Sequence, residues 1–463
     1  MRKKFFISSI AIIFVFLTTS GAGCINTEQQ GAQTEQITLN YWRVYDDQED
    51  FKGIIDSYQQ LHPNIKINFR RLRYEEYEYE LLNALAEDRG PDIVSLHNTW
   101  IRKYQSKLAP LPSSTTMVYP ELQGSIKKEV VNVKKTLATI TIKDLKDEFA
   151  NVVAGDVIID NKIYGLPLSV DTLAMYYNRD LFNNAGIAKP SPYWNEEFFK
   201  TVNKLTKVDS KQGIIQSGAA LGGGENINRS TDILSALMLQ NGVIMMTEDG
   251  SARFHQIPES LKNRPGHPSV QAVEFYTDFA NPIKESYSWN EELPNALDMF
   301  VSGNLAIMFG YSYNLETIKS RAPKLNFSVT NFPQIYDSTS NTSTNINFAN
   351  YWVESVSSKS KHINEAWDFV QFMTINENQV KKYLESADKP AALKTLVSNQ
   401  GISDEMSVFS SQVLTAKSWY KGKDPNAAEK AINDMIVTVV NNPAIEIDKL
   451  LNTTASRVQQ TVK

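Results

Sequence analysis

Residues 37–96 read ITLNYWRVYDDQEDFKGIIDSYQQLHPNIKINFRRLRYEEYEYELLNALAEDRGPDIVSL. Ile37 to Trp42 alternates apolar and polar side chains, the period of a strand. Phe51, Ile54, Ile55, Tyr58 and Leu61 then fall three and four apart, the period of one helix face, and His62-Pro63-Asn64 ends that helix. Ile65 to Phe69 alternates again. Tyr77, Leu81, Leu82 and Leu85 line a second helix between Tyr74 and Glu87, Gly90-Pro91 stops it, and Asp92 to Leu96 reads as a third strand. Strand, helix, strand, helix, strand predicts an α/β unit with largely parallel pairing. Sheets of that kind place ligand groups in the loops after the carboxyl ends of their strands.

The chain around this stretch is long enough, at 463 residues, for two or more cores. Its 42% hydrophobic and 21% charged residues are those of an ordinary globular protein. A net charge of −5 argues against broad binding to phosphate backbones, so no nucleic-acid partner is expected. The single cysteine, Cys24, excludes an internal disulfide and any cysteine-rich metal site. The histidines, His62, His97, His255, His267 and His362, form no close pair, so neither a metal nor a cofactor is expected. No G-x-S-x-G is present, and the acid pairs Asp46/Asp47 and Glu291/Glu292 are sequence neighbours that diverge on a strand. No catalytic residue is assigned.

Arg2, Lys3 and Lys4 precede an apolar run from Phe5 to Leu17, and small residues lead from Thr18 to Cys24. This is the layout of a secretory signal over residues 1–23, and its apolar run of 13 residues is too short for the roughly 20 that cross a bilayer. Residues 24–36 are polar and predict a flexible tether. Further on, apolar spacing predicts a strand over 173–177, helices over 194–205 and 231–240, a strand over 305–309 and helices over 363–373 and 377–386. The segment 115–160, rich in Lys and Val, predicts an extra helical piece.

Two resemblances follow from these residues. The small residues ending at Cys24 resemble the lipobox of bacterial lipoproteins, with Gly21 where an apolar residue such as Leu is usual. That implies acylation of Cys24 and a lipid anchor on the extracytoplasmic face of the cell membrane. Separately, Tyr58-Gln-Gln-Leu-His-Pro63-Asn-Ile-Lys-Ile67, Arg89-Gly-Pro-Asp92, Ile163-Tyr-Gly-Leu-Pro167, Met175-Tyr-Tyr-Asn-Arg-Asp-Leu-Phe-Asn-Asn-Ala-Gly186, Phe300-Val-Ser-Gly-Asn-Leu-Ala-Ile-Met308 and Asn364-Glu-Ala-Trp-Asp-Phe369 occur in that order. Together they resemble the extracellular solute-binding proteins of family 1, the group that holds the sugar-binding receptors of ABC importers. The resemblance implies an α/β, two-lobed periplasmic-binding-protein type II-like fold, with lobes joined by crossover strands around a central cleft. On the matched segments, lobe one is 37–169 plus 354–390 and lobe two is 175–349 plus 391–463. The crossings are expected near 169–175, 351–353 and 389–390.

The function implied is capture of a carbohydrate by hinge closure, without chemistry, by a monomer that delivers it to an ABC permease. The same fold with a polyamine, peptide or anion as ligand, a surface carbohydrate-active enzyme, and a partner of a sensor kinase remain alternatives. A sugar site needs aromatic platforms and planar hydrogen-bonding groups. By position the candidates are Trp42, Asp46 and Asp47 after the first strand, and His97, Asn98 and Trp100 after the third. For the aspartates, ordinary surface positions are the alternative; for His97 and Asn98, helix capping. Asp171 and Trp352 fall in predicted crossings, where a hinge bond or core packing competes with ligand contact. Tyr176 lies on a strand beside Tyr177, so only one of the two faces a cleft. Glu225 follows Gly222-Gly223-Gly224, either a cleft loop or a plain turn. Tyr311 or Tyr313 is expected to stack on a sugar, and Trp419 lies before the last helical region.

Overall fold

The computed structural model describes residues 27–28, 35–125, 127–209, 213–337, 341–398 and 403–463. The expected signal over 1–23, the lipidation site Cys24 and tether residues 29–34 lie outside them. The alternating segments of the opening stretch become the strands Ile37–Val44, Ile65–Leu72 and Ile93–His97. All three run parallel, with Ile37–Val44 in the middle. Trp352–Ser357 adds antiparallel beside Ile93–His97, and Leu108–Ala109 closes the five-stranded sheet. The helix Gln48–Leu61 buries Phe51, Ile54, Ile55 and Tyr58, the residues whose spacing announced it. Helices Ile363–Ile375 and Glu377–Ala387 pack with it over the same sheet.

A second core has its own sheet, with Ala174–Asn178 between Ile307–Gly310 and Phe327–Asn331, antiparallel to both. Around it lie the almost wholly buried helix Ser230–Gln240 and the helices Pro268–Thr277, Pro425–Asn441 and Ile447–Gln460. Among the described residues the two apolar cores share none. Between them stands a third small sheet in which Asn347–Asn350 pairs antiparallel with Asp171–Thr172 and parallel with Ala416–Lys417. The chain therefore passes from one core to the other through strands that are hydrogen-bonded to one another. Asp171 fixes this sheet to the second lobe. Its carboxylate accepts from Thr172 N at 2.8 Å, Ser312 N at 2.9 Å and Ser312 Oγ at 2.7 Å.

Two expectations need correcting. Residues 391–397 were placed in lobe two, but Ala391, Ala392, Leu393, Leu396 and Val397 pack in the first core. The helix Asn151–Val157 and its approach supply the surface that holds them: Ala150 N donates to Ala392 O at 2.9 Å, and Phe149 bridges Leu393. Met406 and Phe409 are then the next residues to pack in the second core. The insertion 115–160 is helical only in its second half, in Ile142–Glu148 and Asn151–Val157. Its first half is a hairpin of Ser114–Gln123 and Glu129–Ala138, paired along their full length. Val130, Val131, Val133 and Thr136 favour a strand, and the lysines between them are tolerated because most of the hairpin faces water. Thr27–Glu28, within the expected tether, pairs antiparallel with Lys134–Lys135.

Candidate functional site

Each parallel strand of the first lobe is followed within three residues by an aromatic residue at the same edge. After Ile37–Val44 comes Tyr45, held at φ 70°, a left-handed conformation that a tyrosine adopts only where its surroundings enforce it. Tyr74 opens the helix after Ile65–Leu72, and Trp100 ends the short 3-10 turn Asn98–Trp100 after Ile93–His97. Trp352 stands opposite His97 in the sheet register and joins these rings into one wall. Its ring lies 6.0 Å from Tyr45, 6.4 Å from Tyr74, 5.9 Å from Tyr77, 5.7 Å from His97 and 5.7 Å from Trp100. Tyr45 and Tyr74 stack at 5.9 Å and remain 57% and 44% exposed, so the wall presents ring faces to water.

The second lobe answers with polar groups. Gly222, at φ 95°, turns the chain where a Cβ would meet Ala280 N at 2.6 Å. The same loop ends at Arg229, also left-handed at φ 62°, just before the helix Ser230–Gln240. Asp232, one turn into that helix, holds the guanidinium with both oxygens: Nε at 2.8 Å and Nη2 at 2.9 Å. Tyr311 Oη donates to the same carboxylate at 2.6 Å and stacks on Tyr313 at 5.8 Å. Glu429 stands 3.5 Å from Arg229, and Trp419 Nε1 donates to Ser235 Oγ at 3.0 Å.

The walls meet around a cavity of about 80 Å³. Tyr74, His97, Asn98 and Trp100 line it from the first lobe, Arg229, Asp232, Trp419 and Glu429 from the second, and Asn350 from the crossing sheet. Behind it the buried Asp156 accepts from Asn98 Nδ2 at 3.0 Å, from Tyr351 Oη at 2.6 Å and from Ser418 Oγ. One carboxylate thus ties together the first lobe, a crossing and the last segment. Asn98 Oδ1 is buried and has no hydrogen-bond partner among the described residues, an acceptor that a ligand hydroxyl can satisfy.

Over residues 45–380 the sequence matches the bacterial extracellular solute-binding proteins. The chain belongs to that family. Among curated relatives, the galactooligosaccharide-binding protein of Bacillus subtilis is 24% identical over 93% of this chain and 89% of its own. The multiple sugar-binding protein of Streptococcus mutans is 22% identical over 81% and 79%. A putative binding protein of Brucella abortus is 22% identical over 61% of this chain, which spans 59% of that relative's length. Solved structures agree on the fold. A cyclo/maltodextrin-binding protein complexed with maltotetraose superposes with a TM-score of 0.68 at 15% identity, covering 94% of this chain and 99% of that one. An ABC substrate-binding protein of Listeria monocytogenes in complex with cycloalternan gives 0.65 at 17% identity, covering 92% and 99%.

Within this solute-binding protein, the residues singled out by position divide. His97, Asn98, Trp100 and Trp419 line the cavity and Trp352 backs it, while Tyr313, 46% exposed, stacks on Tyr311 and is not among the lining residues. Tyr311 itself is wholly buried and acts on Asp232. The others stand apart from the cavity. Trp42 is inside the sheet with Arg70 over its ring at 4.7 Å. Asp46 pairs with Arg43 at 2.7 Å, while Asp47 is exposed and pairs with Arg71. Asp171 is spent on the crossing sheet, Tyr176 is wholly buried with its hydroxyl on Tyr311 O at 2.6 Å, and Glu225 is exposed on its turn. Tyr45, Tyr74, Arg229, Asp232 and Glu429 were not singled out. The signal for the tyrosines was an aromatic at each strand end, and for Arg229 the glycines just before it.

Burial, and then the facing charge of Arg229, push His97 down to about 4. The folded protein keeps this imidazole neutral where the unfolded chain protonates it, so His97 contributes stability that is present above pH 6.5 and lost as pH falls toward 4. Asp171, raised by burial to about 6, acts in the opposite sense: its contribution falls as pH rises from 3.8 to 6. His97→Gln should therefore shrink the drop in melting temperature between pH 7 and pH 4.5, and Asp171→Asn should enlarge it. Equal pH profiles for both variants and the parent would remove these groups as the cause.

Proposed function

We propose that this protein is the substrate-binding lipoprotein of an ABC importer and captures a carbohydrate between its two lobes by hinge closure. The observation that carries the reading is the cavity itself, with aromatic faces on one side and planar hydrogen-bonding groups on the other. Sugar rings present apolar C–H faces and hydroxyl edges, which such walls match. Tyr45, Tyr74, Trp100 and Trp352 form the platform, with Tyr313 and Trp419 opposite. Asn98, Asp232 and Glu429 accept from hydroxyls, and Arg229 donates to them. The names of the relatives and the ligands of the neighbouring structures, galactooligosaccharide, maltotetraose and cycloalternan among them, favour an oligosaccharide.

The cavity of about 80 Å³ is below the ~300–1,000 Å³ typical of a ligand site. The lobes therefore part for entry, bending at the sheet of Asp171–Thr172, Asn347–Asn350 and Ala416–Lys417. Closure excludes water and gains population only through contacts that both lobes make to the ligand. Arg229 is already held by Asp232 and Glu429, so an anion has to compete for it, which disfavours an acidic ligand. Asp232, engaged by Arg229 and Tyr311, is poorly placed to serve as a free acid or base, in keeping with transport rather than hydrolysis. Acylated Cys24 would hold the monomer at the outer face of the cell membrane, within reach of the permease.

The test is a calorimetric and thermal-shift series with mono- and oligosaccharides, uronic acids, amino acids and polyamines. A cognate oligosaccharide at a hundred times its Kd should add about 2.7 kcal/mol of stability. Asn98→Ala should weaken its binding about tenfold. Stabilisation by spermidine or a peptide with no response to any saccharide would overturn the assignment.

A further inference from the structure

We infer that the outward face of the hairpin Ser114–Gln123 and Glu129–Ala138 rests on an anionic lipid surface, as a second membrane attachment besides Cys24. This rests on the proposed acylation only for where the anchor lies; the surface itself is read from the hairpin. Leu122 and Val130 stand directly opposite each other in the register and so share one face. They are 68% and 66% exposed. Met117 and Val133, on the other face, are buried against the body. Pro120 and Lys134 are exposed on the same side as Leu122, and Lys127 and Lys128 are exposed at the tip. The hairpin carries four lysines against two glutamates in a chain whose net charge is −5. Paired apolar side chains flanked by lysines suit the boundary between headgroups and acyl chains, where cations meet anionic headgroups and hydrocarbon is covered.

The chain's own path brings lipid to this place. Thr27–Glu28 pairs with Lys134–Lys135 along the free edge of the hairpin. Cys24 is three residues before Thr27, and three residues reach at most about 11 Å. An acyl chain on Cys24 therefore enters the bilayer beside the hairpin and holds its outward face near the headgroups. No helix among the described residues is long and apolar enough to cross a membrane.

The experiment uses the mature chain from residue 24 with Cys24→Ser, so that no acyl chain takes part. Its flotation with phosphatidylcholine vesicles is compared with and without phosphatidylglycerol. We expect binding to the anionic vesicles about tenfold tighter than to the neutral ones, and weakened by salt. Leu122→Ser/Val130→Ser and Lys128→Glu/Lys134→Glu should each remove that preference. All four positions are exposed, so melting temperature and saccharide binding should stay unchanged and report intact folding. No preference for anionic vesicles, or the same preference in both double variants, would overturn the inference. Mass spectrometry of the membrane-bound native protein reports acylation of Cys24 separately, so failure of one idea is not mistaken for failure of the other.

Discussion

Arg43→Leu should lower the free energy of unfolding by about 3–5 kcal/mol, because it strands a buried charge. Glu354 is wholly buried in the middle of the first-lobe sheet and pairs with Arg43. Tyr41 Oη at 2.7 Å and Ser95 Oγ at 3.1 Å donate to it as well. Arg43 in turn donates to Asp46 at 2.7 Å and to Tyr383 Oη at 3.0 Å. Removing the guanidinium leaves Glu354, which water does not reach, without its cation, and takes one donor from the partly exposed Asp46. The loss should appear as a lower urea midpoint with an unchanged slope. Arg43→Leu/Glu354→Leu should recover most of it, since an apolar pair of similar volume replaces a buried ion pair at little cost. A double variant no more stable than the single would place the loss instead in the packing of Arg43 over Phe51, at 5.0 Å, and Tyr383, at 5.5 Å.

Trp352→Ala should cost about 3 kcal/mol of stability and about a hundredfold in saccharide affinity. This ring is the shared neighbour of Tyr45, Tyr74, Tyr77, His97 and Trp100. Without it Tyr45 and Tyr74 lose the surface that orients them, and the platform relaxes even where its own residues are intact. Trp352→Phe keeps an aromatic at the centre and should keep affinity to within about tenfold. Calorimetry with the best saccharide distinguishes the cases. Affinity in Trp352→Ala close to that of the parent would mean that the ligand rests on other residues.

The first lobe was legible because its parallel strands and helices carry their periods openly, in Ile65, Ile67 and Phe69, and in Phe51, Ile54, Ile55 and Tyr58. The site was less so, and the reason is one of register. The alternation that begins at Ile37 stops at Trp42, which places Trp42, Asp46 and Asp47 beyond the strand end. The strand runs to Val44, so Trp42 and Arg43 are inside the sheet and Tyr45 is the first residue to leave it. Tyr74 was counted as the start of a helix, a role that does not stop its ring from facing the cleft. In the Gly222–Gly224 loop the carboxylate of Glu225 drew attention, whereas the left-handed Arg229 is the residue that reaches the cavity. Such placements depend on tertiary contacts that no local pattern encodes. For the hairpin the reason is simpler: lysines, valines and the charges of residues 144–148 together suggest a helical piece, which forms only from Ile142 on, while the valines before it favour a strand.

The crossing sheet also governs when the protein can fold. The first core needs residues from Ile37 to Val170 and again from Ala349 to Ala416, and the second needs residues from Leu173 to Phe348 and again from Met406 to Val458. Neither half is complete until almost the whole polypeptide has been made. Arg43 waits for Tyr383, which accepts from it and lies 340 residues downstream. Contacts this distant in sequence make folding slow, and a chain cut short before Met406 would complete neither core.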